Sequence, residues 1–193
     1  MGYYDPYPLI DLQKPVCLIG FMGCEVHSIV YFISSLTGLP YLELDKQVEH
    51  AVGMSLAQLY LEEGETRWRE LESIHLRKAL AMSPARLICL GDGTLLNDKH
   101  QQLCLAKSEL VYIRRPQQSF LERIKRGRVE TPQRFPYWAN KIPRSFEDLE
   151  PMLSLREPGY EQAHTLIDIG ELGPLEAAKK IIQRFQWSIE HYP

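Results

Sequence analysis

The stretch Val16-Cys17-Leu18-Ile19-Gly20-Phe21-Met22-Gly23 decides the fold. Four consecutive apolar residues without polar alternation read as a strand buried on both faces, as in a parallel sheet. The glycines then turn the chain into a helix that runs to about Leu36. Thr37-Gly38-Leu39-Pro40 stops that helix, because Gly38 suits its C-cap and Pro40 cannot continue it. Working outward, the same alternation repeats. Strands are expected at 41–44, 86–90, 110–113 and 165–169. Helical patterns fill 45–82 (broken near Gly53 and Gly64), 98–107, 116–126, 145–163 and 174–185. Short apolar strands separated by longer helical segments predict an α/β fold with a parallel sheet. Residues 127–143 hold three prolines and few periodic apolar positions, so they read as a long loop of the kind that forms a lid.

At 193 residues the chain fits one domain with a sizeable core. The expected organisation is an N-terminal tail at 1–14, a domain at 15–187 with its lid at about 127–143, and a C-terminal tail at 188–193. A balance of 22 basic and 25 acidic residues, net charge −3, gives nucleic acid no footprint. No run of about 18 apolar residues is present, so no membrane span is expected. Two Asp, three Tyr and two Pro among residues 1–14 are wrong for a secretory leader. Cys17, Cys24, Cys89 and Cys104 show neither Cys-x-x-Cys pairing nor metal spacing, and are read as reduced thiols of a cytoplasmic protein.

A buried strand followed by Gly20-Phe21-Met22-Gly23 and a helix is the entry to a phosphate-binding loop. In the pattern G-x-x-x-x-G-K-[ST], backbone N–H groups cradle phosphates, the lysine reaches the terminal phosphates and the hydroxyl holds magnesium. Further along come Glu43-Leu44-Asp45, Gly53-Met54-Ser55, Gly64-Glu65, Trp68-Arg69-x-x-Glu72, Gly91-Asp92-Gly93 and Arg156-Glu157-Pro158-x-Tyr160. In this order, over roughly 15–185, the set resembles the shikimate kinase family. The resemblance implies a three-layer α/β/α P-loop kinase fold with five parallel strands in the order 2-3-1-4-5. It also implies ATP and Mg2+ as cofactors and transfer of a phosphoryl group to a hydroxyl of shikimate.

Carried over position by position, the resemblance gives Asp45 the substrate hydroxyls and gives Arg69 and Arg156 its carboxylate. Glu72 braces Arg69, and Gly91 and Gly93 bring the backbone close to the ring. Two guanidiniums on one carboxylate make forked, charge-assisted hydrogen bonds. Each residue also has a plainer reading. Arg69 can pair with Glu65 or Glu72 along its own helix, Arg156 can be a solvated helix residue, and Asp45 can cap the helix that follows it. Trp68 and Tyr160 read as packing residues that hold the two arginines.

The donor half departs from the pattern. Aligned on Gly20, with Gly23 inside the turn, the last glycine is Glu25, the lysine is Val26 and the hydroxyl residue is His27. Ser28 follows one position late and faces another direction. A side chain at 25 works against the backbone angles that glycine allows. Its charge at about 4 Å and an effective dielectric near 20 repels a phosphate by on the order of 4 kcal/mol, roughly a thousandfold in affinity. Glu43 stands where the family has a magnesium-associated aspartate, and Asp92 replaces the middle glycine of a Gly-Gly-Gly turn. Arg123 falls where the family stacks an arginine on adenine, and 167–174 resembles its adenine loop. Arg126, Arg128 and Arg134 are the lid's candidate catalytic cations. Three functions compete on these residues. The first is a homologue with phosphoryl transfer lost or severely weakened that still binds a small hydroxylated carboxylate. The second is an active kinase using a relocated cation such as Lys125, Arg126 or Arg128. The third is a subunit that binds a protein partner through its aromatic tails.

Overall fold

β1 (Val16–Ile19) lies at the centre of the sheet, and its four residues are at most 3% exposed. The computed structural model of the chain describes residues 10–116, 118, 119, 122 and 145–189. Within them β2 (Tyr41–Glu43), β3 (Leu87–Cys89), β4 (Glu109–Arg114) and β5 (Thr165–Asp168) join β1 in the order 2-3-1-4-5. Every pairing is parallel, with Val16 opposite both Leu87 and Glu109. The fold class and strand order are as expected.

Because strand side chains alternate between faces, β1 feeds two cores. Val16 and Leu18 meet α1 (Val26–Thr37) and α6 (Pro174–Phe185) through Ile29, Ile33, Ala178 and Ile181. Cys17 and Ile19 meet α3 (Leu56–Leu80), α4 (Asp98–Lys107) and α5 (Phe146–Tyr160) through Leu76, Cys104, Leu153 and Tyr160. Each large apolar side chain buried this way contributes about 1.5–3 kcal/mol. A third, smaller cluster of Val48, Leu56, Leu59, Trp68 and Leu71 ties α2 (Leu44–Val52) to α3. That cluster matters for the site, because it fixes the helix that carries Arg69.

Local signals set the helix ends. The Gly38 N–H closes α1 on the Ser34 carbonyl at 2.9 Å. Asn97 caps α4 by accepting from the Lys99 N–H, and Ser145 with Asp148 forms a capping box on α5. Two boundaries differ from expectation. Leu44 belongs to α2, because extended Glu43 already serves as its N-cap and the strand passes into the helix without a loop. α5 stops at Tyr160, where the Glu161 N–H closes on the Glu157 carbonyl, three residues before the expected end. Gln118, Ser119 and Glu122 are helical, as expected for part of 116–126. The lid at 127–143, and with it Arg128 and Arg134, lies outside the described residues, as do Arg123, Lys125 and Arg126.

All four cysteines are buried free thiols. The Cys104 thiol is pushed up by its hydrogen bond with Cys17 and by burial, which keeps it protonated. Among the described residues no helix is long and apolar enough to cross a membrane.

Candidate functional site

α3 is interrupted at Gly64, whose φ of 81° and ψ of 174° are open essentially to glycine alone. The helix resumes with Glu65 and presents Trp68, Arg69 and Glu72 toward the carboxyl ends of the strands. Arg69 stacks its guanidinium 4.0 Å from the centroid of the Trp68 ring, a cation–π contact. Its Nη1 donates to Glu72 Oε2 at 2.7 Å, and its Nε donates to Glu65 Oε1 at 3.4 Å. Burial works against the guanidinium's charge, but Glu72 outweighs it and the pKa of Arg69 rises. Glu72 is fully buried, and its Oε1 accepts from the Thr94 hydroxyl at 2.6 Å. Behind it, His100 contacts the Thr94 carbonyl through Nδ1 at 3.1 Å and Ser73 Oγ through Nε2 at 2.5 Å. Burial lowers the pKa of His100 although Glu72 opposes it.

The turn after β3 supplies three neighbouring residues, each against a different charged side chain. A Cβ on Gly91 would stand 2.9 Å from Asp45 Oδ1, and one on Gly93 would stand 2.7 Å from Arg69 Nη2. Any side chain at either position would displace the group beside it. Between them, Asp92 places Oδ2 3.5 Å from Arg156 Nε. The Tyr160 hydroxyl donates to the Asp92 carbonyl at 2.5 Å and fixes this turn to α5. Arg156 itself is 4% exposed and donates from Nη1 to the Met152 carbonyl at 3.0 Å.

Asp45 sits in the first turn of α2. Its Oδ1 is shut off from solvent and has no hydrogen-bond partner among the described residues. Burial, then the charges of Glu72 and Asp92, push its carboxyl up to about 7 against the pull of Arg69. Burial likewise raises Asp92, against Arg156 and Arg69. A carboxyl group held in this way has a free acceptor for a ligand hydroxyl.

The donor side starts where β1 ends. A Cβ on Gly20 would meet the Ile113 carbonyl at 2.8 Å and Val26 Cγ2 at 3.0 Å, so the turn is pressed onto β4 and α1. Gly23 has φ 83°. Glu25 is the N-cap of α1 in the left-handed region, φ 56° and ψ 38°, and its Oε2 is shielded from solvent. The side chain expected to resist glycine-like angles therefore adopts them. That conformation costs a non-glycine residue roughly 1–2 kcal/mol. Val26 turns inward and is 8% exposed within the α1–α6 core. His27 Nε2 and Ser28 Oγ lie 2.9 Å apart. Beside the turn, a cavity of about 300 Å³ is lined by Phe21, Met22, Tyr112, Arg114, Leu149 and Leu153 among others, with Asp45, Arg69 and Arg156 outside it.

The family profile described as "Shikimate kinase" matches residues 23–186. The chain belongs to the shikimate kinase family. The shikimate kinase of Thermodesulfovibrio yellowstonii is 27% identical over 180 residues, covering 90% of this chain and 96% of that protein. That of Salinibacter ruber is 30% identical over 167 residues, covering 86% and 79%. Among solved structures, shikimate kinase from Acinetobacter baumannii in complex with shikimate superposes with a TM-score of 0.79. It is 21% identical and covers 91% of this chain and 94% of that one. Shikimate kinase from Aquifex aeolicus gives 0.72 at 22% identity, covering 89% and 96%. Members of the family use ATP and Mg2+.

The structure brings Asp45, Arg69, Glu72, Gly91, Gly93 and Arg156 together at the carboxyl ends of β2 and β3, where open α/β sheets place their ligands. Two of the plainer readings do not hold. Arg156 is buried rather than solvated, and Glu43, not Asp45, occupies the N-cap of α2. The third holds, since Arg69 does pair with Glu65 and Glu72. Among the described residues no group of three or more His, Cys, Asp or Glu could hold an ion. The sequence reading missed Thr94 and Arg115. Buried Arg115 donates to the Gly170 and Leu172 carbonyls at 2.9 and 2.8 Å, while Arg114 donates to Asp168 at 3.0 Å. These two arginines hold the 167–174 segment. The available signal was a pair of arginines directly after an apolar strand.

Proposed function

We propose that this member of the shikimate kinase family binds a small hydroxylated carboxylate between Asp45, Arg69 and Arg156 and has lost, or nearly lost, phosphoryl transfer from ATP. The observation that carries the reading is the start of α1. A magnesium nucleotide needs a cation and a hydroxyl there. Instead Val26 is packed into the core and Glu25 brings a carboxylate to the loop. With an apolar side chain and a carboxylate in those places, the donor side does not fit MgATP. The acceptor side keeps its hydroxyl acceptor and both guanidiniums in one buried cluster.

Separate titrations test the two halves. MgATP is expected to give no saturable heat in calorimetry. Shikimate is expected to shift amide resonances near Gly91 and Asp45. Removing one guanidinium by Arg69→Ala or Arg156→Ala should weaken that binding by roughly 1.5–3 kcal/mol. Shifts that persist unchanged in both variants place the ligand elsewhere and defeat the reading.

A further inference from the structure

Asp92 stands between the two glycines that admit Asp45 and Arg69, and it points its carboxylate at the remaining guanidinium, Arg156. Its backbone is pinned by Tyr160, so the contact belongs to the architecture of the turn and not to a wandering surface side chain. The pair is buried, with the Arg156 side chain 3% and the Asp92 side chain 16% exposed. The charges converging here include Asp45 from α2, Glu65, Arg69 and Glu72 from α3, Asp92 itself and Arg156 from α5. Neutral Tyr160 and His100 complete the surround. Among the described residues the carboxyl groups of Asp45, Glu65, Glu72 and Asp92 thus face two guanidiniums. A ligand carboxylate would find one guanidinium paired with Glu65 and Glu72 and the other facing Asp92, and would have to compete with these side chains.

We infer that Asp92 is a built-in counter-carboxylate that competes with the ligand's carboxylate for Arg156 and so narrows the pocket's preference for a carboxylate-bearing ring over the same ring without the charge. The inference rests on the proposed location of the ligand, between Asp45, Arg69 and Arg156. It deepens that reading by naming what the site discriminates. Asp45 would still orient the ring through its hydroxyls, whereas the usual anionic handle must compete with a tethered side chain of the same chemistry. Like charges brought together in a buried site repel one another, so removing the Asp92 charge should shift selectivity toward the acid.

The test compares shikimate with its primary carboxamide, which keeps the ring and shape and removes the charge. Both are titrated into the unmodified chain, Asp92→Asn and Asp92→Gly. The unmodified chain is expected to prefer the acid over the carboxamide only weakly. Both variants should gain roughly tenfold or more in affinity for the acid, with the carboxamide changing far less. Asn keeps the size of the side chain, so a purely structural role for Asp92 would move both ligands together. An acid-to-carboxamide ratio that stays the same in all three proteins overturns the inference while leaving the proposed ligand site standing. Absence of binding by either ligand to any of the three overturns both.

Discussion

Asp45 shows how much of the chemistry rests on single side chains. Its carboxyl is raised from an ordinary 3.8 to about 7, chiefly by burial and then by Glu72 and Asp92. Between these two values the folded chain holds a proton that the unfolded chain has released. This group's contribution to stability therefore falls as pH rises from about 4 to about 7. Asp45→Asn should leave stability at pH 4 nearly unchanged and raise it at pH 8 by on the order of 2 kcal/mol. Urea denaturation at the two pH values measures this, and an equal shift at both would contradict the burial of that charge. The raised carboxyl of Asp92 acts in the same direction and remains in the variant. At this scale the sequence was a good guide to which residues meet, because Asp45, Arg69 and Arg156 came with a recognisable order of motifs. It was a poor guide to their partners. That Arg156 would be buried against Asp92, and that Thr94 would hold Glu72, depends on how the turn after β3 packs on α3 and α5, which no local pattern encodes.

Among the elements, α3 does the positioning. After its break at Gly64 the helix brings Arg69 and Glu72 against the turn after β3, while Trp68 packs toward α2. A Cβ at Gly64 would meet nothing within 4 Å, so a substitution there acts through the backbone alone. Gly53 offers a contrast, since its φ of 74° and ψ of 16° lie in the left-handed region that Asn tolerates. Gly64→Asn should cost about 1–3 kcal/mol, and Gly53→Asn clearly less. Equal losses in thermal or urea unfolding would mean that the break is not enforced by the backbone. The helical periodicity together with the glycines located this break in the sequence. The short connections were less legible, because Glu43 is extended yet caps α2, and the strand-to-helix junction has no loop of its own to read.

For the molecule as a whole, the parallel α/β sheet and its order were readable because buried strands alternate with amphipathic helices throughout. The donor side was readable only as a set of replacements. What the sequence could not convey is that Val26 is part of the core and that Glu25 adopts left-handed angles that glycine takes without strain. That second fact favours repair. Since the backbone at 25 already has suitable angles, Glu25→Gly, Val26→Lys and His27→Ser together should restore MgATP binding. Each alone should do little, because residues acting as a unit are not additive. Val26→Lys by itself would direct an ammonium to Glu25 and empty part of the core. A folded triple variant that still binds no nucleotide, followed by calorimetry, would show that the loop as a whole differs from a phosphate cradle.

The proposed loss of the donor side beside a retained acceptor side is tested by shikimate-dependent ADP release from the unmodified chain at millimolar MgATP. The expected rate is indistinguishable from the background of buffer and MgATP alone. Steady turnover that saturates with MgATP in the micromolar range and depends on shikimate would contradict it, and would mean that a cation from elsewhere in the chain serves the phosphates.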